Sequence, residues 1–344
     1  MPGSTASVSN NDHLLVVGVN WIGDALMSMP ALQAWRRAHP VSRLTLLTKS
    51  GLAPLWSMHA APNAVLTYDN PWRAMWRAAR AIRAAGPTRA VVFPNSIRSA
   101  LPPFLGGVPE RVGRGGPGRS LLITHALPHR AGPPAHQSLE YFELLDAPRP
   151  AGACELPVLA VPPDSAARMA ERCRALPRPL LAVLPGAARG PAKRWPLRHF
   201  AAVASRWVAE QHGGILVTGG PGDRAAGDEL VAPFGPRALN LAGETALPEW
   251  AAALAGCDAV VCNDSGGMHL SAALGLRGVA VFGATDPQVT GPLGSGIAVV
   301  QDDGPRDRAI ARHAADAEKR LEALPPERIY ETLLRVAQME KATP

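Results

Sequence analysis

The sequence predicts an α/β protein built from two doubly wound, Rossmann-like domains, and three observations carry that expectation. Short apolar runs alternate with helical segments, the pattern of parallel strands joined by helices. The pattern restarts about halfway along the 344 residues. Between the two series lies Ala147–Pro163, where Pro148, Pro150, Pro157, Pro162 and Pro163 interrupt helical periodicity.

Taken in order, the first series places strands at His13–Val19, Arg43–Thr48, Ala64–Tyr68 and Arg89–Pro94, with helices at Ala25–Ala38 and Trp72–Ala84. The second places strands at Leu180–Leu184, Gly214–Thr218, Ala238–Leu241, Ala259–Cys262 and Val279–Phe282, and helices near Leu197–Gln211, Leu247–Gly256 and Gly267–Leu274. Terminal helices are expected over Asp307–Leu324 and Glu327–Lys341, separated by the Pro325–Pro326 stop. The expected domains are 1–155 and 156–325, with a C-terminal helix at 326–344 that packs back toward the first domain. Open parallel sheets bind ligands at the carboxyl ends of their strands, so a cleft faced by both domains is the expected site.

Composition narrows the function. With 47% hydrophobic residues the chain can bury two cores, and its 33 glycines and 35 prolines, about a fifth of all positions, fall short of a disordered composition. There is no run of eighteen apolar residues and the first eleven positions lack a secretory pattern, so a soluble cytoplasmic protein is expected. Cys154, Cys173, Cys257 and Cys262 form no CxxC pair, and neither a disulfide nor a zinc site is expected. Residues 1–150 carry 15 Lys and Arg against 7 Asp and Glu, whereas residues 151–344 carry 20 against 21. A basic first half suits an anionic partner. Since 31 of the 35 basic residues are Arg, compositional bias is the competing explanation.

Four segments stand where strands end. Asn20-Trp21-Ile22-Gly23-Asp24 lacks the GxGxxG of a redox dinucleotide site, and Asp24 there is either a general base or a helix N-cap. Pro185–Pro196 combines Gly186 and Gly190 with Lys193-Arg194, positive charge on a loop open enough for a diphosphate; an exposed loop lysine is the plainer reading. Asn263-Asp264-Ser265-Gly266-Gly267-Met268-His269 follows an apolar strand and opens a helix, a cradle of free N–H groups for an anion, although Asp264 and Ser265 also suit capping and His269 a structural role. Phe282–Pro287 is polar and turn-rich at the next strand end.

In their order, WIGDALMSMPAL, FPNSIRSAL, PGAARGPAKRWPLRHFA, AGETALPEWAAALAGCDAVVCNDSGGMHLSAALG and VAVFGATDPQVTGP resemble glycosyltransferase family 9, the bacterial heptosyltransferases, and most closely the heptosyltransferase II group. The resemblance spans about Leu14 to Gly294. It implies a GT-B fold and an inverting, metal-independent transfer of heptose from ADP-L-glycero-D-manno-heptose to an inner-core lipopolysaccharide acceptor of the heptosyl-Kdo2-lipid A type, without a cofactor. By position, Asp24 resembles the family's general base and Lys193 the residue on the donor phosphates. Asp264 resembles the donor-site carboxylate, and Ser265, Gly266 and Gly267 the backbone donors to the diphosphate. His269 matches the histidine of the same helix, and Asp223 is the candidate for the donor ribose.

The implied partners are an ADP-activated sugar and an anionic glycolipid, with peripheral contact at the cytoplasmic face of the inner membrane. No nucleic acid is expected: a nucleic-acid binder, suggested by the basic half alone, would ordinarily show clustered Lys/Arg runs or an aromatic platform, and it ranks last among the alternatives. Lys49, Arg98, Arg111, Arg114 and Arg119 are the candidates for the acceptor's phosphates and carboxylates. Trp72–Arg77 mixes aromatics with arginine; an amphipathic helix packing its tryptophans on the sheet is the commoner arrangement, and peripheral contact with a membrane the alternative. The sequence departs from the family in having no cysteine over 301–320 and in reading Ala187-Ala188-Arg189 in the donor loop. The rivals are a transferase for another nucleotide sugar or a non-lipopolysaccharide acceptor, and a sugar-nucleotide epimerase of the same architecture.

Overall fold

A computed structural model describes residues 13–69, 72–129, 132–152, 154–188, 190–304 and 314–338. The chain divides into two compact units, Met1–Gly152 and Ala153–Pro344. The division falls within the proline-rich stretch.

In the first unit β1 (His13–Val17), α1 (Ile22–Ala38), β2 (Arg43–Thr48), the short α2 (Ala53–Trp56), β3 (Ala64–Thr67), α3 (Trp72–Ala85), β4 (Arg89–Val92), α4 (Ile97–Leu105), β5 (Glu110–Arg114), β6 (His125–Leu127) and α5 (Ser138–Leu145) follow in order. All strand pairs are parallel, and the sheet order is β3-β2-β1-β4-β5-β6. This is the doubly wound order with its switch point between β1 and β4, the two innermost strands. Leu15, Val17, Leu47, Ala90 and Val92 from the sheet pack with Ala78 and Ile82 of α3 and Ala100 of α4.

The second unit contains α6 (Pro163–Cys173), β7 (Leu180–Leu184), α7 (Leu197–Gln211), β8 (Gly214–Val217), α8 (Arg224–Val231), β9 (Ala238–Asn240), α9 (Leu247–Ala255), β10 (Ala259–Asn263), α10 (Gly266–Ala273), β11 (Gly278–Phe282), α11 (Pro287–Thr290), β12 (Ile297–Gln301), α12 (Ala314–Glu322) and α13 (Pro326–Gln338). Its sheet is again parallel, in the order β12-β11-β10-β7-β8-β9, so the first unit's topology is repeated. β7, β8, β10 and β11 are buried along their whole length, as strands covered on both faces must be.

The α/β class and the double winding expected from the sequence are thus present. β5 (ERVGR) and β6 (HAL) went unmarked because neither carries an apolar run. β12 was also unmarked, although Ile297–Val300 is apolar. The part of the Asp307–Leu324 helix before Ala314 lies outside the described residues. The last helix, expected to turn back toward the first domain, places Ile329, Tyr330 and Leu333 in the second unit's own core beside Trp195, Phe200 and Val279.

Candidate functional site

In each parallel sheet the strands end on one edge, and the chain leaving that edge carries Asp24, Lys49 and Arg98 in the first unit and Lys193, Asp223, Asp264, Ser265, Gly266 and Gly267 in the second. In the second unit, the loop after β7 carries Lys193 in a single 3-10 turn, Pro191–Lys193. Its Nζ donates to Asp264 Oδ2, just beyond β10, and Thr285 Oγ1, beyond β11, donates to the same oxygen at 2.7 Å. Three loops therefore meet on one carboxylate, whose side chain is 7% exposed against 16% for Lys193. An ammonium has three N–H donors, and one of them is used here. Asp264 Oδ1 takes no protein hydrogen bond among the described residues, so both groups retain capacity for a ligand.

Asp264 is thus an ion-pair partner rather than the helix cap that was the alternative. Ser265 holds the N-cap position of α10 in extended conformation, but its side chain makes no capping bond. The first N–H groups of a helix have no intrahelical carbonyl to meet, and the helix dipole adds partial positive charge there. Gly267 has a packing reason to lack a side chain, since a Cβ would come within 2.3 Å of Leu184 Cδ2. His269 lies in α10 and is 6% exposed.

The loop after β7 is braced by Asn263, whose role the sequence did not reveal. This fully buried amide accepts from the Trp195 backbone N–H at 2.9 Å and donates to the Pro185 carbonyl at 2.7 Å, tying both ends of the loop to β10. Arg194 donates to the Ala187 carbonyl at 3.2 Å, so this cation holds the loop together. Asp223 accepts from the Gly220 N–H at 2.9 Å and lies against Gly186, where a Cβ would stand 2.2 Å from its Oδ2. Gly186 is therefore small to admit Asp223. Arg189 lies outside the described residues.

In the first unit, α1 begins at Ile22 with Trp21 as N-cap, three residues earlier than expected. Asp24 is accordingly the third helical residue and not the cap. Its carboxylate lies at the positive end of α1 and accepts from Gln137 Nε2 at 3.3 Å. The same amide nitrogen donates to the Tyr141 hydroxyl at 2.9 Å. Burial, followed by the Asp24 charge, pushes the Tyr141 phenol up, so the neutral hydroxyl persists beside the carboxylate. Gln137 and Tyr141 come from the α5 region and no sequence signal marked them.

The five basic acceptor candidates separate. Lys49 follows β2 and Arg98 lies in the first turn of α4, both exposed and on the sheet edge that carries Asp24. The other three require correction. Arg119 is 1% exposed and directs its guanidinium at the carbonyls of Arg114, Pro94 and Ser96 at 2.7, 2.7 and 2.6 Å. Arg114 is buried against Glu143 at 2.6 Å and Glu140 at 3.1 Å. Arg111 donates to the Leu122 carbonyl at 2.7 Å and to that of Val108. These donors close loops of the first unit, which removes the three residues from the candidate acceptor set.

The family model described as glycosyltransferase family 9 (heptosyltransferase) matches residues 75–320. The chain belongs to this family. As a family 9 glycosyltransferase it is an enzyme, and curated relatives span most of its length. It is 32% identical to lipopolysaccharide heptosyltransferase 2 of Salmonella typhimurium, over 81% of this chain and 85% of the relative. Lipopolysaccharide heptosyltransferase 2 of Escherichia coli is 31% identical over the same shares. Among solved structures, that of E. coli ADP-heptose lps heptosyltransferase II superposes with a TM-score of 0.83 at 28% identity, covering 96% of this glycosyltransferase and all of that chain. The pair of Rossmann-type units is the GT-B architecture that the resemblance implied.

Among the described residues no helix is long and apolar enough to cross a membrane, and no three His, Cys, Asp or Glu side chains group as metal ligands.

Proposed function

We propose that this glycosyltransferase moves heptose from ADP-L-glycero-D-manno-heptose to an inner-core lipopolysaccharide acceptor of the heptosyl-Kdo2-lipid A type, at the cytoplasmic face of the inner membrane. The observation that carries the reading is the meeting of Lys193, Asp264 and Thr285 next to the opening of α10. A cation and a row of helix N–H groups on one sheet edge suit a diphosphate leaving group. Support comes from the relatives and the solved structure, whose names specify heptosyltransferase 2 and ADP-heptose.

In the proposed reaction the Asp24 carboxylate takes the proton of the acceptor hydroxyl. The hydroxyl oxygen forms the new bond to the anomeric carbon from the face opposite ADP, and the bond to the β-phosphate oxygen breaks with its electron pair on ADP. One displacement inverts the anomeric centre. Lys193 and the N–H groups of Ser265, Gly266 and Gly267 offset the charge that develops on the diphosphate, the task a metal ion performs in other transferases. Asp223 accepts from the donor ribose, His269 supports the donor from within α10, and Lys49 and Arg98 meet acceptor anions.

The test is direct. Purified enzyme with ADP-heptose and heptosyl-Kdo2-lipid A, in excess chelator, is expected to release one ADP per heptose transferred, with an inverted anomeric configuration by NMR. Turnover with a different nucleotide sugar alone, or retention of configuration, would overturn the reading.

A further inference from the structure

The helix α3 does not follow the commoner arrangement considered for it. Its buried face consists of Ala74, Met75, Ala78, Ala79 and Ile82, and both tryptophans point away from the sheet, Trp72 at 64% exposure and Trp76 at 54%. Large aromatic side chains one helical turn apart and this exposed are a cost in water unless something covers them. On the same outer surface stand Arg73, Arg77 and Arg80, also exposed, and α3 has no acidic residue. Among the described residues none of these three arginines forms an ion pair.

The surroundings extend the surface. Arg83 donates to the Leu105 carbonyl of α4 at 2.9 Å, and helical spacing puts Arg83 on the flank of α3 that also carries Trp72 and Trp76. The tryptophans therefore lie on the side that meets α4. There Ile97, in the first turn of α4, is 49% exposed, and in the loop after β5 Leu121 is 84% exposed. The first turns of α3 and α4 leave the carboxyl edge of the sheet, which is the edge carrying Asp24.

We infer that this outer face of α3, with Ile97 and Leu121, docks on an anionic lipid surface. Indole rings suit the headgroup boundary, where an apolar body and an N–H are both accommodated. Arginines without acidic neighbours match the negative charge of such a surface, and the first unit's excess of basic residues acts in the same sense. Docked this way, the enzyme has the Asp24 edge near the membrane, in reach of an acceptor held there by its lipid. This last consequence rests on the proposed acceptor, whereas the docking itself does not.

The test uses the full chain and no substrate. Flotation with vesicles of phosphatidylcholine containing phosphatidylglycerol, at low ionic strength, is expected to carry the protein, and vesicles of phosphatidylcholine alone are not. Each arginine near a charged surface is worth about fivefold in binding, so Arg73→Gln/Arg77→Gln/Arg80→Gln should weaken it roughly a hundredfold. Trp72→Ala/Trp76→Ala should weaken it roughly tenfold or more. Both variants should keep the parental melting temperature and turnover on a delipidated, soluble acceptor. Equal flotation of parent and variants, no preference for the anionic vesicles, or a dimer in sedimentation that depends on Trp72 and Trp76 would overturn the inference. Vesicle binding that persists in an enzyme unable to transfer heptose would support the docking surface and sink the functional reading instead.

Discussion

Gln137 donates its side-chain amide to the carboxylate of Asp24 at 3.3 Å, joining residues 113 positions apart. The bond selects the orientation of the only acidic side chain in the first turn of α1.

Removing that carboxylate tests the proposed base. Asp24→Ala is expected to lower kcat by about 10²- to 10⁴-fold, the usual contribution of a general base, with little change in melting temperature. Gln137→Ala should lower kcat by a smaller factor, roughly tenfold, while leaving KM for the donor unchanged, because the amide bonds to Asp24 and Tyr141 and bears on the reaction by holding the carboxylate. Steady-state kinetics with both substrates varied separates the two effects.

The Lys193–Asp264 pair joins stability to donor binding. Both side chains are mostly buried, so Lys193→Ala leaves a carboxylate without its cation and should cost about 3 to 5 kcal/mol of stability. Lys193→Met combined with Asp264→Leu removes both charges and should recover most of that loss in a denaturant titration. Calorimetry with ADP is expected to find weak binding in the single and the double variant alike. Restored ADP affinity in the double variant would argue that Lys193 only supports the fold.

Arg119 is predicted to act on folding and not on substrate. Arg119→Ala strands several buried carbonyls of the loops after β4 and β5, costing about 3 kcal/mol or more. Arg119→Lys should not rescue it, since one ammonium cannot span acceptors placed for a planar fork. Acceptor KM, measured where the variant remains folded, should stay near the parental value.

A pH effect is expected from His59. Burial pushes its imidazole down to about 4, and the ring is neutral, with Nδ1 accepting from the Ala61 N–H at 3.4 Å and Nε2 bonded to Gln33 Oε1 at 3.1 Å. The unfolded chain takes up a proton near pH 6.5 and the folded one only near 4, so stability is complete above 6.5 and falls as the pH drops toward 4. The loss amounts to about 3 kcal/mol for this group. Urea titrations at several pH values should show the slope, and His59→Gln should flatten its share of it.

Much of the fold was legible in the chain because strands buried on both faces must be continuously apolar. β7, β10 and β11 could be read within a residue or so for that reason. β5 and β6 escaped for different reasons: β6 is a three-residue edge strand, and β5, though paired on both sides, has its apolar pattern broken by Glu110, Arg111 and Arg114. The loops with chemistry were also legible, since glycine, lysine and carboxylate fell at strand ends. Their roles were less so. Arg114, Arg119 and Arg98 look alike as sequence, and which of them meets solvent depends on carbonyls brought in from distant loops.

Local pattern alone determined two rounds of strand and helix, the division between them, and the positions of Asp24, Lys193 and Asp264 where strands end. Tertiary structure decided what each polar group faces: that Thr285 shares an oxygen of Asp264 with Lys193, that Gln137 holds Asp24, and that Trp72 and Trp76 turn outward. The physical reason is range. Helix and strand periods arise from neighbours within a turn or two, whereas hydrogen-bond partners and exposure arise from segments that meet only after the chain has folded.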